Sequence, residues 1–289
     1  MSAELARPLR FLVLDAYARE GRAALAAAGG TPAGTLYRRM LLGLAPGSVV
    51  DVGEPADGDV LPHGVALGDY DGITWTGSSL TIHDAGDLRV RRQLELARAA
   101  YRLGVPSFGS CWAAQLSVAA AGGRCAASAR GREFGVARRI TLSQAGRAHP
   151  LYQGKPAEFD ALTSHADEVC ELPEGAQLLA SNEWSRVQAV AVSHGAASFW
   201  AVQYHPEYDL AEVAALARLR REELVAQGEF ADAPSADAWI ADLDALHADP
   251  ARRDLVERLG LGPGVCDAAL RTLEVRNWIE RAVRPGADR

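Results

Sequence analysis

Residues 105–116 read VPSFGSCWAAQL, and how this stretch folds decides the architecture of the chain. A short apolar run ends in Gly109. Cys111 follows after one serine, and from Trp112 the pattern turns helical until Gly122 and Gly123 stop it. An apolar run bounded by glycine reads as a buried strand, and a glycine-terminated apolar run reads as a helix. The stretch is therefore a strand-to-helix turn with a cysteine at its apex. Two readings of Cys111 are open at this point. It is a buried thiol of the core, where free cysteine is common, or a nucleophile held on the turn. The rest of the chain has to supply a base, an oxyanion site and a fold.

Outward from this stretch, strand and helix alternate. Residues 10–17 (RFLVLDAY) form an opening strand, and 20–44 are helical pieces broken by GGTPAG. SVVDVG (48–53) is a second short strand, and YDGITWTGSS (70–79) a strand running into a Gly-Ser turn. Residues 87–104 have apolar positions at helical spacing and end on Gly104, a residue suited to a helix C-terminus. Such alternation implies an α/β fold with a doubly wound, mostly parallel sheet flanked by helices. Ligands bind such sheets at the carboxyl ends of the strands, where GSCW and TGSS both fall. The second half adds strands at REFGVARRITLS, EFDALTSH, AQLLASN, VQAVAVS and SFWAVQYHPE. After about residue 210 only helical patterns follow, so two segments are expected: a domain at 1–210 and a helical C-terminal extension at 211–289. The extension packs on the core or forms an oligomer interface, and its apolar face around Trp278 and Ile279 is a candidate homodimer or partner surface.

Composition narrows the function classes. The 289 residues are 48% hydrophobic and carry a net charge of −7. The basic stretches RVRRQ and RLRREE lie at helical spacing beside acids and read as solvated faces, so nucleic-acid binding is not expected. No window approaches the ~18 uninterrupted apolar residues of a membrane span. Four scattered cysteines without a CxxC pair argue against a zinc site or a thioredoxin motif. The opening MSAELARPLRFLVLDAY lacks a signal-peptide layout. Together these features point to a cytoplasmic protein.

The chemistry lies in three motifs. A nucleophile elbow needs small residues around the nucleophile, because the turn is tight and presents the next backbone N–H to an oxyanion. FGSCWAA has Gly109 two before Cys111 and Ala113 two after. A cysteine nucleophile also needs a histidine to take its proton and a third group to orient that histidine. Of seven histidines, His205 has the suitable context: the strand FWAVQYHPEYD ends in His205-Pro206-Glu207.

GSCWAAQL together with QYHPE resembles the class I glutamine amidotransferases, over roughly residues 10–210. More narrowly, it is similar to stand-alone GMP-synthase-like amidotransferase proteins. The resemblance implies the flavodoxin-like fold of that family, with Cys111 as nucleophile, His205 as base and Glu207 as the orienting acid. It also implies an oxyanion hole from the N–H groups of Trp112 and, in TWTGSS, Gly77. Substrate contacts are implied for Gln115, one helical turn after Cys111, for Glu133 in RGREFGV as a ligand of an α-amino group, and for Ser164 and His165 in TSHADEV. No metal or organic cofactor is needed. The family pattern G-x-C-x-G is broken here by Ala113, which adds a methyl at a crowded turn. No P-loop or ATP-pyrophosphatase segment occurs, so the resemblance does not imply GMP synthesis. The activity expected is that of a glutaminase working through a cysteinyl thioester and releasing ammonia to a separate synthetase or other acceptor enzyme. Two alternatives stand beside it: hydrolysis of another γ-glutamyl amide with the same triad, and a non-catalytic regulatory or binding subunit on the same scaffold.

Overall fold

A computed structural model describes residues 7–58, 60–84 and 86–287. Eleven strands run through it: β1 (Arg10–Leu14), β2 (Val49–Gly53), β3 (Gly72–Trp75), β4 (Ser107–Ser110), β5 (Arg124–Ala127), β6 (Glu133–Leu142), β7 (Glu158–His165), β8 (Asp167–Glu171), β9 (Ala176–Ser181), β10 (Ala189–His194) and β11 (Ala197–Val202). The helices that matter first are α1 (Arg19–Ala27), α2 (Ala33–Leu44), α3 (Leu88–Leu103), α4 (Trp112–Ala120) and α5 (Gln144–Ala148). Strands β2, β1, β3, β4 and β11 lie side by side in that order, all parallel. Beyond β11 the sheet continues antiparallel through β10, β9, β6 and β7. Strands β5 and β8 form a separate antiparallel pair.

The burial pattern explains the parallel half. β3 and β4 are buried at every position, and β1 at all but its first. Continuous burial is what strands covered on both faces require. Gly104, at φ 76°, ends α3 in the left-handed conformation as its sequence position implied. Eight of the nine residues of α4 are buried, which suits a helix apolar nearly all round.

β4 and β11 are far apart in sequence but adjacent in the sheet, with Ser110 opposite Val202. The Cys111 N–H continues the ladder by donating to the Val202 carbonyl at 2.8 Å. The residues that leave these two strand ends therefore emerge together. The Gly77 loop emerges from β3, the neighbour of β4 on its other side.

After β11 the described residues are helical: α6 (Leu210–Ala226), α7 (Ala233–Ala248), α8 (Arg253–Leu259), α9 (Pro263–Cys266), α10 (Ala268–Arg271), α11 (Leu273–Trp278), a π-helical turn at Ile279–Val283, and α12 (Arg284–Ala287). Residues 265–283 do not form one continuous helix. Asp267 accepts from the Ala269 N–H at 2.8 Å and starts a new helix there. The expected partner surface at Trp278 and Ile279 is corrected. Both side chains are buried within the chain. Trp278 lies against Phe11 and Phe108 of the sheet, with ring centroids 5.9 and 6.0 Å apart. Gly72 makes room for it, since a Cβ there would stand 2.7 Å from the indole. Nearby, Lys155 and Glu274 form a buried ion pair at 2.9 Å, and the Tyr204 hydroxyl donates to the same carboxylate at 2.5 Å. These helices share the core of the sheet: α6, α7 and α8 pack with Leu25, Phe134 and Leu162 in one apolar cluster.

Candidate active site

Cys111 sits between the end of β4 and the start of α4 with φ 55° and ψ −103°. A positive φ costs an L-residue roughly 1–3 kcal/mol and persists only where its surroundings impose it. Gly109 and Ala113 show how the turn is accommodated. A Cβ at Gly109 would lie 2.3 Å from the Ala113 methyl and 2.5 Å from the Trp75 carbonyl oxygen. The extra methyl of Ala113 thus occupies space that Gly109 leaves open. Trp112 is the first residue of α4, so its N–H belongs to the unsatisfied donors of a helix start. Its indole N–H donates to Gln93 at 3.0 Å, which fixes the side chain away from the turn.

The imidazole of His205 lies beside this turn. Its Nδ1 is 2.7 Å from Oε1 of Glu207. A carboxylate only accepts, so Nδ1 carries the proton and Nε2 is left to receive one. Glu207 Oε1 also accepts from the Ser110 hydroxyl at 2.8 Å, and Ser110 accepts from the Tyr37 hydroxyl at 2.8 Å. The opposite face of the imidazole is covered by Tyr208, stacked at 3.8 Å. Burial acts to lower the affinity of His205 for its proton. The Glu207 charge and the Cys111 thiol outweigh it and push the pKa up to about 10. The Cys111 thiol itself donates to the Ser164 carbonyl at 3.6 Å.

Gly77 closes the third side. A Cβ there would stand 2.9 Å from His205 Cε1 and 3.6 Å from Cys111 Cβ, so glycine lets the loop touch His205 and Cys111 at once. Thr76 orients this peptide: its hydroxyl accepts from Ala16 N–H at 2.9 Å and donates to the Gly77 carbonyl at 2.8 Å.

A cleft of about 140 Å³ opens over Cys111 and His205. Gln115, Ser164 and His165 line it, and Tyr17, Ser79 and Arg220 line the part that adjoins a neighbouring groove. Gln115 Nε2 donates to the Asp167 carbonyl at 3.1 Å, and His165 Nδ1 meets the same oxygen at 3.0 Å. Glu133 is placed differently from its sequence expectation. It pairs with His165 in the β6–β7 register, and its carboxylate accepts from His165 at 2.8 Å, Asn182 at 2.6 Å and Gln188 at 2.7 Å. It stands behind His165 and holds it, with three protein donors where an α-amino group was expected. Residues 211–289 showed no site residue in the sequence, yet Arg220 of α6 lines the cleft with its side chain 19% exposed. The RLRREE stretch is therefore not wholly a solvated face. Ser110, Tyr37 and Tyr208 were also missed. Ser110, adjoining Cys111 at the strand end, was the one with a local signal.

Among the described residues no group of three His, Cys, Asp or Glu side chains is arranged to hold a metal ion, and no helix is long and apolar enough to cross a membrane.

Comparisons with known proteins point to one family. The family model for "Glutamine amidotransferase class-I" matches residues 68–216, just over half of the chain. The chain is 33% identical to a γ-glutamyl-L-1-hydroxyisopropylamide hydrolase of a Pseudomonas species, over 97% of its own length and 95% of the relative's. It is 31% identical to the γ-glutamyl peptidase 3 of Arabidopsis thaliana, over 62% of this chain and 72% of that one. The glutamine-hydrolysing GMP synthase of Leifsonia xyli is 31% identical over 52% of this chain, which spans only 29% of that protein. A glutamine amidotransferase from Thermotoga maritima has the same fold, with a TM-score of 0.63 at 15% identity, over 96% of this chain and 99% of that one.

Proposed function

Because the chain belongs to the class I glutamine amidotransferase family and is a cysteine-dependent amide hydrolase, we propose that its substrate is a γ-glutamyl amide whose amine is larger than ammonia. The observation that carries this reading is the shape of the cleft. Past Tyr17, Ser79 and Arg220 it adjoins an open groove of about 680 Å³ between α1 and α6. Release of ammonia alone needs no such space. The full-length likeness to a hydrolase of a substituted γ-glutamyl amide supports the same reading, since that likeness includes the helices after β11.

In this reading the proton of Cys111 rests on His205 Nε2, giving a thiolate–imidazolium pair, and the thiolate attacks the γ-carbonyl carbon. The N–H groups of Trp112 and Gly77 stabilise the oxyanion, a contribution of about 3–4 kcal/mol per donor at such sites. The C–N bond breaks as His205 returns a proton to the amine. Water, deprotonated by His205, then hydrolyses the γ-glutamyl thioester and frees glutamate. Glu207 holds the imidazole and its charged form. Gln115, Ser164 and His165 form the glutamyl side of the cleft, and Glu133 positions His165.

The likeness to GMP synthases supports a second reading, in which glutamine is the substrate and ammonia passes to a separate synthetase. One comparison separates the two: steady-state hydrolysis of glutamine and of a set of N-substituted γ-glutamyl amides by the wild type and by Cys111→Ala. A substituted amide with kcat/KM at least tenfold above that of glutamine, and no turnover by the variant, is the expected result. Turnover of glutamine alone overturns the proposal.

A further inference from the structure

The two parts of the cleft differ in chemistry. In the glutamyl part the acid is Asp167, with His83 at 3.8 Å. Toward Arg220 the cleft itself is lined by two arginines, Arg132 and Arg220, while Glu222 lines the depression beyond it. Arg132 Nε and Arg220 Nη1 share one carboxylate, that of Glu223, at 2.9 and 3.2 Å. Two guanidinium groups against one carboxylate leave a positive charge over. Arg220 Nε is also buried without a hydrogen-bond partner, a costly arrangement for a charged donor unless something else supplies the acceptor. Arg221 Nε is likewise without a hydrogen-bond partner, but Arg221 has an ion pair of its own with Asp237, as Arg218 has with Asp244. Arg220 alone of these three lines both the catalytic cleft and the adjoining groove.

The reacting carbon has to lie at Cys111, with the γ-glutamyl group toward Gln115 and Ser164. The amine then leaves toward the groove, past Tyr17 and Arg220. A guanidinium presents a planar fork that matches a carboxylate in two parallel hydrogen bonds. Burial holds the Tyr17 hydroxyl up to about 12, so it stays a neutral donor beside that fork. Resting on the substituted-amide reading above, we propose that Arg220 determines leaving-group specificity and that the preferred substrates are γ-glutamyl amides whose amine bears a carboxylate, as in γ-glutamyl amino acids. A helix outside the nucleophile and base motifs thereby selects the amine, while the glutamyl part of the cleft selects the acyl group.

The test uses the full chain and a matched pair of substrates, γ-glutamylglycine and γ-glutamylpropylamide, with glutamine as reference. The wild type is expected to favour γ-glutamylglycine over the propylamide by about tenfold to a hundredfold in kcat/KM, as for a charge-assisted contact made to one substrate only. Arg220→Met is expected to reduce that ratio at least tenfold, mainly through the KM of γ-glutamylglycine, and Arg220→Lys to recover part of it. A wild type that handles the pair equally overturns the carboxylate assignment and leaves the substituted-amide reading standing. Equal losses by Arg220→Met on all three substrates also overturn it, because they place Arg220 on the glutamyl group or in the fold. Turnover of glutamine alone contradicts the substituted-amide reading itself.

Discussion

Replacing Glu207 by glutamine tests the electrostatics of the site with little change of shape. His205 is held at about 10 against an ordinary 6.5, although burial pulls it down. At about 1.4 kcal/mol per unit, its charged partners stabilise the imidazolium by on the order of 5 kcal/mol net of burial. Glu207 contributes the largest upward share. Glu207→Gln keeps an acceptor for Nδ1 and Ser110 but removes the charge, so Cys111 is left as the main upward influence against burial and the imidazole holds its proton less tightly. The alkaline limb of the kcat/KM profile should move down from near 10. Activity should fall by about 10³–10⁴, as for the loss of an orienting acid elsewhere. The sign for stability follows from the same shift. A histidine raised from 6.5 to about 10 on folding contributes stability that is complete below 6.5 and lost as pH rises through 10. Denaturant unfolding of wild type and variant at several pH values should show the wild type's advantage shrinking across that window. An alkaline limb that stays near 10 in Glu207→Gln, with activity within tenfold of wild type, refutes this reasoning.

Three further outcomes follow from the packing and the buried charges. Gly109→Ala should cost about 3 kcal/mol or more in denaturant unfolding, since its methyl meets both Ala113 and the Trp75 carbonyl. Adding Ala113→Gly should recover less than half of that loss, and full recovery would show that the Trp75 carbonyl gives way. Burial pushes Glu212 up to about 7 from 4.5, so its folded state favours the protonated form, and that contribution is lost as pH rises from 4.5 through 7. Glu212→Gln keeps an acceptor for the Thr31 N–H and should gain about 1–2 kcal/mol at pH 8 but nothing at pH 4; an equal change at both pH values would contradict the burial of a charge. Glu274→Ala leaves Lys155 charged and buried and should cost about 3–5 kcal/mol, read as a fall in Tm of about 5–10 °C; a fall under 2 °C would mean that Lys155 finds another partner.

The sequence showed what is local and not what is assembled across the fold. The strand-turn-helix at Cys111 and the strand exit at His205 were legible because glycine, proline and apolar runs mark them. That β4 and β11 are neighbours was not legible from spacing, since the strand order crosses many residues; it entered through family resemblance. Glu133 was misplaced because a buried acid and a ligand acid look alike in sequence, and only the β6–β7 register puts it behind His165. Arg220 was overlooked because it sits in a charged stretch of a helix, and one arginine turned inward leaves that pattern unchanged. The apolar face at Trp278 fits a core as well as a partner, and Gly72, far away in the chain, decides for the core. Strands β5 and β8, four and five residues long, are too short to show a period.

The most direct measurement is intact-mass and peptide mapping of the full chain, acid-quenched during turnover of a γ-glutamyl amide. One γ-glutamyl group is expected on the peptide carrying Cys111, accumulating in the wild type and absent from Cys111→Ala. A γ-glutamyl group on any other residue, or turnover that continues in Cys111→Ala, would contradict the thioester mechanism.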